Sequence, residues 1–257
     1  VNFSRILAIA VNVFWEVMRE RVLYLIALFA IFLFGTLRLL REFALGTEYK
    51  IITDLGIAGI GVIGLIVAIF VGTGMINKEI EKRTVLVLLA KPISRADLIV
   101  GKYLGLSGIL AILIFFTSLI YLSFLSLNRV EYPLGSILVA LFFIFLELSL
   151  LTAVAMLLGV FTSSLLATLL SVGVYVMGHL SPDIIKAGEL SENPALIGFT
   201  RNLYLILPDL TKLDLKNQAV YGLLPDLNTL LFNGIYAVIY IILLLAIANL
   251  IFRQKEF

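Results

Sequence analysis

Apolar residues run in long uninterrupted blocks along this chain, near 22–40, 55–76, 103–127, 134–157, 161–181 and 230–252. A hydrocarbon core of about 30 Å is crossed by about 20 helical residues, so the pattern predicts six membrane-spanning helices. The blocks are continuous and lack the alternation of barrel strands. The fourth and fifth are separated on length. Between Glu131 and Asp183 the only formal charge is Glu147, and that run is too long for one span. Gly159, Thr162, Ser163 and Ser164 supply the turn of a tight hairpin there. Pro92, Pro133, Pro182, Pro194, Pro208 and Pro225 all fall outside spans or at their ends, as they must if the spans are helical, because an interior proline removes a hydrogen bond and clashes with the preceding turn.

The first 21 residues follow a different pattern. Phe3, Ile6, Leu7, Ala10, Phe14, Val17 and Met18 recur at helical spacing, opposite Arg5, Asn12, Glu16, Arg19 and Glu20. This predicts an amphipathic helix lying in the membrane interface, with Trp15 at headgroup level. Acids and arginines interrupt the stretch, which argues against a cleaved signal peptide. The long connection 182–229 carries apolar clusters such as Leu203, Leu205, Ile206 and Leu207, broken by Pro208 and Pro225. Short helices resting on the outer membrane face, or dipping into it, fit that pattern.

Composition sharpens the class. Of 257 residues 61% are hydrophobic and 14% charged, and mean hydropathy is +1.12. A soluble domain carries about 25% charged residues, so a soluble enzyme, a disordered chain and a nucleic-acid binder are excluded. There is no cysteine for a disulfide, thiolate or iron–sulfur cluster, and the one histidine, His179, cannot build a multi-histidine metal site. The chain is expected to hold no metal and no cofactor.

Charge placement predicts orientation. With both termini inside, the cytoplasmic side holds Arg5, Arg19, Arg21, Lys78, Lys82, Arg83, Lys91, Arg95, Lys102, Arg253 and Lys255 against six acids. The opposite side holds eight basic residues and ten acids. Basic residues mark the cytoplasmic side, which predicts a multi-pass protein of the cell membrane with both ends inside.

The segment 78–98 stands apart from a loop that serves only topology. A cluster of Lys78, Glu79, Glu81, Lys82 and Arg83 opens it, an apolar run Val85–Ala90 follows, and Lys91-Pro92-Ile93-Ser94-Arg95 makes an ordered turn. Glu79 and Arg83 lie one helical turn apart, as do Lys78 and Lys82, so part of the charge is self-paired. A short amphipathic helix held against the membrane, presenting charge to a cytoplasmic partner, accounts for all three features.

Here the chain resembles the permease subunits of type-2 ATP-binding-cassette (ABC-2) transporters. Their hallmark between spans two and three, E-x-x-x-(G/R)-T…LL…P-(I/V)-S-R…G-K, is met by Glu79, Arg83, Thr84, Leu88, Leu89, Pro92, Ile93, Ser94, Arg95, Gly101 and Lys102. Arg83 stands where many members have glycine, as in the branch that includes permeases of copper-enzyme maturation systems. The resemblance extends to the layout of one transmembrane domain over 1–257: interfacial helix, six spans and a helical outer segment. It implies that 78–98 is the coupling region and that Glu79, Glu81, Lys82, Arg83, Thr84, Pro92, Ser94 and Arg95 form the interface with a cytoplasmic ATPase. No G-x-x-x-x-G-K-[ST] occurs in the chain, so it is expected to be no enzyme itself. ATP and Mg would belong to a separate ATPase, present in two copies beside a permease homodimer. Export of a lipid-like or amphipathic substrate is the implied activity; a non-transporting scaffold for a maturation or secretion complex is the alternative.

Three further features stand out. Glu147 lies near the middle of span four, where a charge costs about 2.5–3.5 kcal/mol; it is either on the translocation path or dimer interface, or bonded to a neighbouring helix. His179 reads as a polar anchor at the outer end of span five. The glycines of span two, Gly56, Gly59, Gly61, Gly64, Gly72 and Gly74, permit close helix approach, within the subunit or along a pore.

Overall fold

A computed structural model describes residues 3–43, 48–81, 94–191 and 193–254. Among the described residues all regular structure is helical and no strand occurs. Helix α1 (Phe3–Val17) runs through one π-helical turn, Met18–Val22, into α2 (Leu23–Phe43). Then come α3 (Glu48–Glu81), α4 (Arg95–Leu127), α5 (Leu134–Phe161) and α6 (Ser164–His179). The long connection that follows forms α7 (Ser181–Leu190), α8 (Pro194–Ile206), a 3-10 turn at Leu210–Lys212 and α9 (Lys216–Val220), and α10 (Leu227–Gln254) comes last.

Among the described residues four helical stretches are long and apolar enough to cross a membrane alone: Lys50–Met75 within α3, α4, α5 and α10. A fifth forms if α6 and α7 count as one span, bent by 66°. The 16 residues of α6 reach only about 24 Å at 1.5 Å per residue. The continuous fifth block seen in the sequence is therefore a short helix followed by a sharp change of direction. In α2 the apolar stretch is the shorter Leu23–Thr36.

The core forms around α5, which is apolar on every side, as a helix enclosed by others must be. Its most apolar stretch is 78% buried, against 28% for α10, and α3, α4, α6, α9 and α10 all pack on it. The contact with α3 is set by small residues. A Cβ at Gly72 would stand 3.0 Å from the Ala155 Cβ, and one at Gly64 would run into Leu148. These glycines of span two serve packing within the subunit.

The structure corrects the reading of α1. Ile6, Ala10, Val13 and Val17 are buried against the protein, whereas Phe3, Leu7, Val11 and Trp15 form a second apolar stripe that is exposed. Arg5, Asn12, Glu16 and Arg19 occupy the remaining sector and are exposed too. The helix has three faces, not two. The i, i+4 series from Phe3 to Trp15 is free to meet lipid, while the protein holds the other apolar face.

Candidate functional site

Two places bring together the residues singled out by sequence: the first turns of α4 and the middle of α5.

At the start of α4, Ser94 is an N-cap in extended conformation, φ −76° and ψ 150°. Its Oγ accepts a hydrogen bond from the Asp97 N–H at 3.0 Å, and Asp97 Oδ2 accepts one from the Ser94 N–H at 3.3 Å. This reciprocal capping box satisfies two backbone donors that the helix would leave orphaned. Arg95, the next residue, points at the far end of the chain. Its Nη1 donates to the carbonyl oxygens of Phe252 (2.6 Å) and Arg253 (2.9 Å) in the last turn of α10. The guanidinium also lies 5.8 Å from the centre of the Phe252 ring.

Two turns further along α4, Lys102 is 3% exposed and its ammonium donates to the Met75 carbonyl of α3 at 2.8 Å. Gly101 and Gly105 lie against α1. A Cβ at Gly105 would fall 2.7 Å from the Ala10 carbonyl oxygen, and one at Gly101 would fall 2.8 Å from the Ile9 Cβ. Of the predicted interface residues, Glu79 and Glu81 lie in the final turn of α3, with side chains outside the described residues. Lys82, Arg83, Thr84 and Pro92 also lie outside them.

Around α5 the structure joins residues that the sequence kept apart. Glu147 is 2% exposed. His179 Nε2 stands 3.3 Å from its Oε1, and Lys216 Nζ stands 3.8 Å from Oε2. Asp214 completes the group, 3.5 Å from Lys216 Nζ and 3.7 Å from His179 Nε2. Glu147 Oε2 makes no hydrogen bond, so the lysine holds it through charge rather than through an aligned N–H. His179 Nδ1 lies 3.0 Å from the Tyr175 carbonyl oxygen. A carbonyl only accepts, so Nδ1 carries a proton in this contact, and Nε2 faces both carboxylates. Burial of the Lys216 ammonium pushes its pKa down, but Glu147 and Asp214 outweigh this and hold it above the ordinary lysine value.

Depth follows from helix geometry. Counted from Leu134, Glu147 is about 20 Å along α5 at 1.5 Å per residue. Lys216 reaches that level from the start of α9, and its stem passes Gly61 of α3, where a Cβ would stand 3.3 Å from the lysine Cε. His179 is therefore a partner of Glu147 rather than a free polar anchor. Sequence reasoning missed Asp214 and Lys216. Their one signal is the run 209–216, in which charges of alternating sign are interleaved with leucines.

A sequence model described as ABC-2 family transporter protein matches residues 7–257. The chain belongs to this family. No curated protein matches it. It is accordingly a transmembrane permease of an ABC transporter, in a family that works with an ABC ATPase and is typically not catalytic itself.

The connection between α6 and α10 of the permease is fastened by a second polar centre. Asp209, 5% exposed, accepts from Thr211 Oγ1 at 2.6 Å and from the Tyr204 hydroxyl at 3.1 Å. Its own N–H donates to the Tyr236 hydroxyl of α10 at 2.8 Å, and Lys212 Nζ lies 3.6 Å away. Leu210, Leu213, Leu215 and Ala219 are buried beneath. The segment is thus an ordered cap seated on the helices. Beside it, an apolar groove of about 640 Å³ opens between the first halves of α5 and α10, lined by residues such as Leu138, Phe142, Leu146, Leu231 and Ile235.

Proposed function

We propose that this permease is the membrane part of an ATP-driven exporter that alternates access as two copies of a cytoplasmic ATPase close and open. In this reading the whole chain, 1–257, is one transmembrane domain in the cell membrane with both termini inside. α2, α3, α4, α5, α6 and α10 are its six spans, and a second copy of the chain completes the pathway. The chain carries no cofactor; ATP and Mg act on the ATPase. The segment from Glu79 and Glu81 through Lys82, Arg83, Thr84 and Pro92 docks the ATPase.

One observation carries this reading. The residues that end the coupling motif and follow 78–93 in the chain cap α4 at Ser94, tie it to α10 through Arg95 and tie it to α3 through Lys102. Movement of that segment therefore has a path into the spans. The groove between α5 and α10 has no polar lining residue, which supports a lipid-like or amphipathic cargo. We place Glu147 on the translocation path rather than at a dimer interface, because its partners His179, Asp214 and Lys216 are 21%, 30% and 19% exposed and belong to the outer cap or the helix end beneath it.

The test is to co-express the chain with its cognate ATPase and reverse two charges, Glu79→Lys with Arg83→Glu. The wild-type chain retains the ATPase on purification and regulates its hydrolysis. The double variant keeps its melting temperature and loses that regulation. Undiminished regulation in the double variant overturns the docking assignment. A wild-type chain that retains no ATPase favours the non-transporting scaffold.

A further inference from the structure

Arg95 belongs to the motif that resemblance assigns to the ATPase interface, yet Nη1 of its guanidinium is directed at the chain's own last helix. The final carbonyls of a helix have no intrahelical partner and carry the negative end of the macrodipole. Arg95 answers two of them, at Phe252 and Arg253, with charge-assisted bonds of 2.6 and 2.9 Å. The Phe252 ring that flanks the guanidinium is itself 1% exposed, so both sides of the contact are held in place. Within the same three turns of α4, Lys102 grips α3 through Met75, and Gly105 admits the α1 backbone at Ala10.

We propose that Arg95 is a positioning residue, a clasp that makes the cytoplasmic ends of α4 and α10 move as one body. Movement entering at 78–93 then reaches the last span directly, in addition to α1 and α3. The inference rests on the reading that 78–93 docks the ATPase. It assigns Arg95 to transmission rather than to docking. A lysine is a poor substitute, because a point charge does not reproduce the planar fork of donors.

The chain has no cysteine, so spin labels can be placed without a background. Leu104→Cys on α4 and Leu250→Cys on α10 are exposed sites, at 45% and 57%, and neither residue is itself part of the clasp. Electron–electron double resonance then reads the α4–α10 distance in the full chain alone, and in its complex with the cognate ATPase, with and without ATP–vanadate. With Arg95 intact one narrow distance is expected in every state. Arg95→Gln raises the population of separated helix ends about tenfold, as the loss of hydrogen bonds to a charged group would, while the ATPase still co-purifies. Arg95→Lys falls between the two, and Phe252→Leu, which keeps both carbonyls, stays narrow and controls for misfolding.

Loss of the ATPase from Arg95→Gln at an unchanged label distance makes Arg95 a docking residue and overturns the proposal. An unchanged distance with the ATPase retained overturns it as well. Because the distance is also read on the permease alone, a wild-type chain that binds no ATPase refutes the docking reading and leaves the clasp to be judged on its own result.

Discussion

Glu147 in α5 and His179 at the end of α6 lie 3.3 Å apart, at the level where α6 stops and the chain turns by 66°. The carboxylate and the end of the helix meet at one depth. Helical ends and irregular backbone are tolerated within a membrane only where protein or a water-filled cavity surrounds them. Here the capping segment that follows α6 provides the surroundings, and Lys216 provides a cation.

Removing the carboxylate takes from Lys216 and His179 the acid they share. Glu147→Leu is expected to lower stability by about 3 kcal/mol, the scale for breaking a buried ion pair. Thermal unfolding in detergent reads it as a lower melting temperature. Adding Lys216→Met should recover part of the loss, and a double-mutant cycle that shows strict additivity would remove the pair from the stability argument.

The Lys216 pKa is raised above its ordinary 10.5. Its contribution to stability is therefore complete below 10.5 and disappears as pH rises through the elevated folded-state value. Melting temperature should show no Lys216-dependent change from about pH 7 to 9. Above 10.5 the wild type should lose stability that Lys216→Met does not lose. Equal alkaline slopes for the two proteins would contradict the assignment.

Gly105 sets how closely α1 approaches α4. A Cβ there meets the Ala10 carbonyl at 2.7 Å, and backbone cannot rotate out of the way. Gly105→Ala is expected to displace α1 at a cost of about 1–3 kcal/mol and to speed tryptic cleavage at Arg5 and Arg19. Gly135→Ala, where nothing lies within 4 Å, is the control and should leave the cleavage pattern unchanged.

Asp209 gathers the capping segment. Asp209→Ala removes the acceptor of the half-buried Tyr204 and Thr211 hydroxyls and the counter-charge of Lys212, a loss of about 1 kcal/mol at the scale of a net hydrogen bond. Hydrogen–deuterium exchange should rise across 204–215 and stay unchanged in the α3–α5 contact. Protection retained across the cap would show that the buried leucines alone hold it.

Much of the fold was legible because membrane crossing is a constraint on length. Block boundaries, proline positions and the Thr162–Ser163 hairpin locate α5, α6 and α10 within a few residues, whereas α3 and α4 begin well before their apolar blocks, at Glu48 and Arg95. The break after His179 was not legible, since the apolar run continues through it and the bend is imposed by what packs above. At the candidate site the sequence flagged Glu147 and His179 separately. It missed Asp214 and Lys216, whose polar character suited an exposed loop equally well. Two faces of α1 were merged into one because periodicity reports which residues are apolar, not whether lipid or protein covers them.

By itself, then, the sequence determined class, helical content and family. Those rest on local quantities: hydropathy summed along a span, the clustering of basic residues, and a motif read in order. Tertiary structure alone decided where Arg95 points and what neutralises Glu147. Both answers depend on residues far away along the chain, Phe252 and Arg253 in one case, His179 and Lys216 in the other. A buried charge needs a counter-charge at ion-pair distance, and only the packing of distant helices determines which one arrives.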